Sequence, residues 1–278
     1  MSDRNLELKK KANWVRNRTL EMCLAGGGHL ASSFSCAEIL VSLYCGDMLR
    51  FNPKNPKWDE RDRFVLSKGH AAPALYALLA DAGFFPHEEL NSYCKSKSLL
   101  GSHPDRIIPG VEASTGSLGH GLAIAAGMAQ AAKMDDKDYM TVVLLGDGEC
   151  SEGAVWESAL FAHQHRLNNL IGIVDRNLLC TTDFTEGCIG LDSLADKWKA
   201  FGWRTLEING HSFEEILGAF RDCRNNDNQQ PLMIIAHTVK GKGVSFMEND
   251  PIWHTKIPSG EQIELARKEL LWREDESI

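Results

Sequence analysis

The sequence predicts an α/β fold, a doubly wound and mostly parallel sheet flanked by helices. Three observations predict it. Short apolar runs at 63–66, 141–145, 170–174, 204–208 and 232–239 have the length of buried strands. Stretches of helical length separate them, so successive strands need crossover connections and run parallel. Several runs end in turn residues, above all Gly146-Asp147-Gly148 and Asp175-Arg176-Asn177. No linker interrupts the alternation, so residues 1–278 read as a single domain.

A first helix is predicted over residues 5–24, where Leu8, Ala12, Val15, Thr19 and Met22 recur at three- and four-residue steps. Gly26-Gly27-Gly28 stops it, and His29 follows. Ser35-Cys36-Ala37-Glu38 has the spacing of a capping box, opening a helix that carries Ile39, Leu40 and Leu43. Gly26 to Ala31 also matches G-x-G-x-x-A. A charged helix precedes it where a nicotinamide fingerprint needs a strand, which argues against that reading. Residues 46–63 read as a polar loop. The strand at 63–66 runs into Ser67-Lys68-Gly69-His70 and a helix over 72–82, so His70 sits at a strand-to-helix turn.

Residues 83–115 read as mostly loop, around Gly101-Ser102-His103-Pro104-Asp105. Gly116-Ser117-Leu118-Gly119-His120-Gly121 then opens a helix of small residues over 122–132, suited to close packing. A polar loop at 180–190 follows the central strand pair. Helices over 191–201 and 213–224 alternate with the last two strands. Lys240-Gly241-Lys242-Gly243 ends the final strand and leads to a loop carrying Trp253-His254. Ser259-Gly260-Glu261-Gln262 reads as a second capping box, before a last helix and an acidic tail.

Composition narrows the function. The net charge is −8 and no basic block is present, which argues against nucleic acid as the main partner. No apolar run approaches the roughly 18 residues that a membrane span needs. The first twenty residues lack the apolar centre of a secretion signal, so a cytoplasmic location is expected. The eight cysteines, at positions 23, 36, 45, 94, 150, 180, 188 and 223, form no C-x-x-C and no zinc-ligand spacing, and are read as reduced thiols.

The chemistry gathers in residues 141–179. A right-handed crossover puts Asp147 and Asn177 at the same, carboxyl, edge of the sheet. That edge is where open α/β sheets bind ligands. One carboxylate and one amide oxygen there suit a Mg²⁺ that also carries phosphate oxygens. Gly146 and Gly148 let the backbone approach those phosphates.

The motifs GGGHLASSFSCAEIL, SKGHAAPALYALLA, GSHPD, STGSLGHG, GDGECSEG, VDRN and WH stand in the order seen in transketolases. The chain resembles the N-terminal, pyrophosphate-binding half of that thiamine-diphosphate family over nearly its whole length. The resemblance implies the thiamine-diphosphate-binding fold. It implies Mg²⁺, or Ca²⁺ or Mn²⁺, held by Asp147, Asn177 and the carbonyl of Leu179. Gly148 would touch the diphosphate, Gly116 and Leu118 would border the thiazolium, and His70 and His254 would lie near the diphosphate and the reacting carbonyl. His29 and His103 would bond the donor sugar's hydroxyls, and Glu152 would help to organise paired active sites at a subunit interface. Leu30 stands where family members often carry proline after that first histidine.

The implied activity is transfer of a two-carbon ketol unit from a ketose, as its phosphate, to an aldose. Histidines suit the proton movements at neutral pH. The family's pyrimidine-binding and C-terminal domains do not follow within the 278 residues. The resemblance therefore implies an obligate partner, a separate C-terminal subunit, with two copies of each chain forming a heterotetramer. Alternatives are half of a deoxyxylulose-type synthase or keto-acid lyase, and a non-catalytic scaffold that keeps the fold. His163 and His165, two residues apart, face different sides of a helix and read as packing groups. His87, His120, His211 and His237 read the same way.

Overall fold

Five strands form one sheet: β1 (Arg63–Leu66), β2 (Thr141–Gly146), β3 (Leu170–Arg176), β4 (Arg204–Asn209) and β5 (Leu232–His237). All pairings are parallel, in the order β1-β2-β3-β5-β4. The structure, a computed structural model, describes residues 3–181, 183–224 and 229–271. The acidic tail beyond residue 271 and the Cys223 side chain lie outside the described residues.

Winding decides which helices cover which face. From β1 through β2 and β3 to β4 the chain moves one way across the sheet, and right-handed crossovers put the helices that lead into each next strand on one side. These are α5 (Gly121–Met134), α6 (Gly153–Gln164) and α8 (Leu194–Ala200), packed on Val65, Val143, Leu145, Val174, Met233 and Ile235. From β4 the chain steps back to β5, and the same handedness sends α9 (Phe213–Arg224) to the opposite face. There it joins α1 (Asp3–Gly26), α3 (Ala37–Cys45) and α4 (Ala72–Asp81) on Phe64, Leu66, Val142, Leu144, Ile171, Ile173 and Ile234. Neighbouring residues of β2 thus serve opposite layers, as the strand pleat requires.

The centre of the sheet is tightly fitted. Gly172 in β3 faces Met233 and Trp203, and a Cβ there would meet the Met233 Cε at 2.2 Å. The first helix buries Leu8, Ala12, Val15, Thr19 and Met22, the stripe its spacing predicts. It also buries Arg16, whose guanidinium donates to both Glu38 carboxylate oxygens at 2.7 Å. His211 Nδ1 joins Glu38 at 2.9 Å, so α1, α3 and the β4–α9 turn share one buried charge cluster.

The capping box expected at Ser35–Glu38 does not form. An unpredicted short helix, α2 (Leu30–Ser35), occupies that stretch, and α3 starts with no side-chain cap. Ser35 Oγ instead donates to Ser32 O and Asp175, while Glu38 is committed to Arg16 and His211. Buried charge outcompetes local capping here, because an unpaired Arg16 in the core costs far more than an open helix end. The polar loop at 180–190 contains a single helical turn, α7 (Thr185–Cys188). The last strand stops at His237, two residues before the predicted end. The last helix is α10 (Glu261–Glu269), and of the second capping box only a long contact survives, Ser259 N to Gln262 Oε1 at 3.5 Å.

Candidate active site at the carboxyl edge of the sheet

The carboxyl ends of β1, β2 and β3 open into a cavity of 320 Å³. Each strand delivers a different group. After β1, Ser67-Lys68 leads into a single tight turn, Gly69–Ala71, that carries His70. After β2 comes Asp147, and after β3 come Asn177 and Leu179, all at the cavity wall with Gly148, Glu152 and Leu118. The loop beyond β5 brings Lys240, and a turn at Pro251–His254 brings His254.

The four histidines singled out from sequence form one cluster. His29 stands 5.2 Å from His70, 5.1 Å from His254 and 6.1 Å from His103, between ring centroids. His70 and His254 are 5.6 Å apart. Gly27 and Gly28, both at positive φ, swing the chain out of α1 so that His29 meets this group, and Leu30 packs fully buried behind it. His103 is held from below: Tyr76 Oη donates to its carbonyl at 2.7 Å. Gly116 backs the His103 ring rather than lining the cavity, and a Cβ there would approach His103 Cδ2 to 3.2 Å.

The cluster is electrically biased. Burial, then the neighbouring His103, Lys240 and Lys68, push the His29 imidazole down to about 4. Burial, Lys240 and His29 push His254 down to about 3, and burial with Lys68 holds His70 well below its usual range. All three rings are neutral at pH 7. Lys240 Nζ donates to His254 Nδ1 at 2.8 Å, which leaves the His254 proton on Nε2. Burial and Lys68 lower Lys240 itself to about 8.

Asp147 is 1 % exposed. Its Oδ1 accepts from Gly148 N at 2.8 Å and its Oδ2 from Leu178 N at 2.6 Å. The nearest cation, Arg176 Nη1, stands 3.5 Å away, and its guanidinium serves Thr185, Glu186 and Asp192 more closely. Burial and the charge of Asp175 therefore raise the Asp147 carboxyl to about 6. Asn177 sits beside it with its amide oriented: Oδ1 accepts from Leu179 N and Nδ2 donates to Asp175 Oδ2, both at 3.2 Å.

Two features escaped sequence reasoning. One is the network beneath the cavity. Asp175 accepts from Lys68, Ser35, Thr238 and Asn177. Burial opposes its charge, but Lys68 and the hydroxyls outweigh that and hold its carboxyl below the usual range. The available signal was an aspartate at the end of an apolar strand, which has no water to turn to and needs partners. The other is Glu149, buried at 2 %. It accepts from Ser67 Oγ, from Gly119 N at 2.8 Å and from Gly146 N at 3.0 Å. It thereby ties β1, the Gly-rich turn and β2 together. Among the described residues no three His, Cys, Asp or Glu side chains converge as a metal cluster, and no helix is long and apolar enough to cross a membrane. The His163 ring lies against Gly202, whereas His211, read as a packing group, is hydrogen-bonded to Glu38 and to Val239 N within the buried charge cluster.

Comparison with known proteins gives the same picture. Residues 9–278 match the family model described as transketolase, thiamine diphosphate binding domain. The chain is 44 % identical over 271 residues to one of the apulose-4-phosphate transketolase subunits of Phocaeicola vulgatus, covering 97 % of this chain and 95 % of that one. It is 41 % identical to the 6-deoxy-6-sulfo-D-fructose transketolase subunit SqwG of a Clostridium species, over 97 % and 98 % of the two chains. The crystal structure of transketolase from Campylobacter jejuni superposes with a TM-score of 0.89 at 33 % identity, covering 95 % of this chain and 42 % of that one. The chain thus spans nearly all of the two subunits and about two fifths of the crystallised enzyme. On the strength of that match and of the sheet that carries it, the chain belongs to the transketolase family, over its thiamine diphosphate-binding domain.

Proposed function

We propose that this chain is the N-terminal, diphosphate-binding subunit of a two-chain cytoplasmic transketolase. It moves a two-carbon ketol unit from a ketose with an anionic tail to an aldose. The observation that carries the reading is the convergence of His29, His70, His103 and His254 over the cavity walled by Asp147 and Asn177. The names of the two relatives support the division into subunits, and both of those names specify ketoses bearing a terminal anion. The companion chain carries the pyrimidine-binding half, two copies of each making the assembly.

Thiamine diphosphate, when bound, supplies the electron sink for breaking and forming a carbon–carbon bond beside a carbonyl. A divalent ion suits this pocket, since Asp147 is a buried carboxylate whose Arg176 counter-charge, 3.5 Å away, serves other groups more closely, and the Asn177 amide oxygen is already oriented. Asp147, Asn177 and the Leu179 carbonyl would hold Mg²⁺, a set of hard oxygen donors. Gly148 and Lys240 would flank the diphosphate, with Leu118 and, behind His103, Gly116 on the side of the ring, and Glu152 would serve the paired sites at the subunit interface. Neutral at rest, His254 would offer its Nε2–H and His70 would accept or return a proton at the reacting oxygens. His29 and His103 bond the sugar hydroxyls, and the buried His29 Nδ1, without a hydrogen-bond partner among the described residues, is available to one of them.

The test is reconstitution. Mixed with its companion subunit, Mg²⁺ and thiamine diphosphate, the chain should transfer a ketol unit from a ketose phosphate and should do nothing with pyruvate. Ketol transfer by this chain alone would refute the two-chain reading, and turnover of pyruvate would move it to another member of the cofactor class.

A further inference from the structure

The segment after β3 folds back on itself at the cavity mouth. Leu179 pairs with Phe184 in an isolated antiparallel bridge, Cys180 N donates to Asp183 O at 2.9 Å, and α7 ends at Cys188. This fold brings two thiols together: Cys180 Sγ and Cys188 Sγ stand 3.0 Å apart. Cys180 lines the cavity, and its Cβ lies 3.4 Å from where a Cβ on Gly148 would stand. Its carbonyl accepts from Lys240 Nζ at 3.2 Å. Cys188 faces solvent, whereas Cys23, Cys36 and Cys150 are buried in the core.

We propose that Cys180 and Cys188 are a dithiol modification site whose reversible disulfide clamps the wall of the cavity. A disulfide needs its sulfurs about 2.05 Å apart, so closure requires a movement of about 1 Å, which side-chain rotation supplies. The oxidant is a low-molecular-weight disulfide of the glutathione type. The exposed Cys188 thiolate attacks one of its sulfurs, breaking the small S–S bond and releasing one small thiol. The Cys180 thiolate attacks the Cys188 sulfur and releases the second. Two protein thiols lose two electrons and two protons, and one small disulfide becomes two small thiols. The link closes the 180–188 segment on itself, so the stretch of wall that carries Cys180 beside Gly148 opens locally less often. The significance of that clamp for cofactor traffic rests on the function proposed above, but the clamp does not.

The full chain is equilibrated with reduced and oxidised glutathione at a series of ratios, digested and mapped. Wild-type protein should yield an internal peptide link between residues 180 and 188, apart from any glutathione adduct on the exposed Cys94. Cys188→Ser should yield none and keep its fold. Hydrogen exchange at the Leu179, Cys180, Thr185 and Cys188 amides should slow by a factor of about ten on oxidation, and recover with dithiothreitol, because a cross-link suppresses local opening. A glutathione adduct on Cys188 without the internal link would overturn the proposal, as would unchanged exchange in the linked protein. A parallel titration of the reduced chain and its companion subunit with thiamine diphosphate tests the reading of the cavity by itself.

Discussion

His254 accepts a hydrogen bond from Lys240 at Nδ1, and His29 and His70 lie against it, so a charge on any of these rings is disfavoured. The unfolded chain, with histidines near their usual range, binds protons that the native cluster refuses. Stability from these rings is therefore present above the unfolded value and is lost as pH falls toward the native ones, near 4 for His29 and 3 for His254. The unfolding free energy from urea titration should drop between pH 6.5 and 5 by on the order of 1 kcal/mol per ring once solvent screening is allowed for, and His29→Asn should flatten the slope. If Asp147 and Asn177 hold the metal as proposed, Asp147→Ala or Asn177→Ala should weaken Mg²⁺-dependent thiamine diphosphate binding by more than about tenfold in calorimetry, since the proposed bridge from metal to diphosphate would be lost. His103→Ala should behave differently. Its turnover should fall by about 10²-fold or more with cofactor affinity little changed, as expected of a group facing substrate. An equal loss in both would reassign it. These residues were legible in sequence because each sits at a glycine-rich or strand-end turn. The Asp175 network was not, because its partners come from α2, the β1 turn and the β5 loop, which only the folded sheet unites.

Among the elements, the strand–turn–helix–strand unit around β2 and β3 was read almost to the residue, since apolar runs bounded by glycine and aspartate admit few other conformations. Its hidden fastening is Glu149. Glu149→Ala strands the Gly119 and Gly146 amides and the Ser67 hydroxyl in a dry site, and should cost about 2–4 kcal/mol in urea unfolding. Glu149→Gln, still able to accept, should lose less. Helix α2 was missed for a different reason. Its six residues are all buried, so no amphipathic period exists to be seen, and the polar Ser32, Ser33 and Ser35 resemble a loop. The false capping box came from the same stretch. Ser35 and Glu38 have the right spacing, but each answers to a tertiary partner.

For the whole molecule, parallel order and helices on both faces followed from alternation and handedness, while the position of β5 between β3 and β4 did not. Strand spacing in sequence carries no record of which neighbour a returning strand will choose. The Arg16–Glu38–His211 cluster binds the early helices to the late β4–α9 turn across the same layer. Arg16→Met should leave Glu38 buried without its main counter-charge and cost about 3–5 kcal/mol. Glu38 is held down to about 2, against burial, by Arg16 first and then His211, so its contribution persists at neutral pH and disappears as pH falls from about 4.5 toward 2.

The step back from β4 to β5 also sets a timetable for the nascent polypeptide. Helices α1, α3 and α4 leave the ribosome early with their oily undersides ready, yet the strand that completes their floor is among the last pieces made. At about 5–20 residues per second, that surface waits roughly ten seconds or more for cover. A chaperone that shields helices during this interval should raise the soluble yield of the chain more than one acting after release.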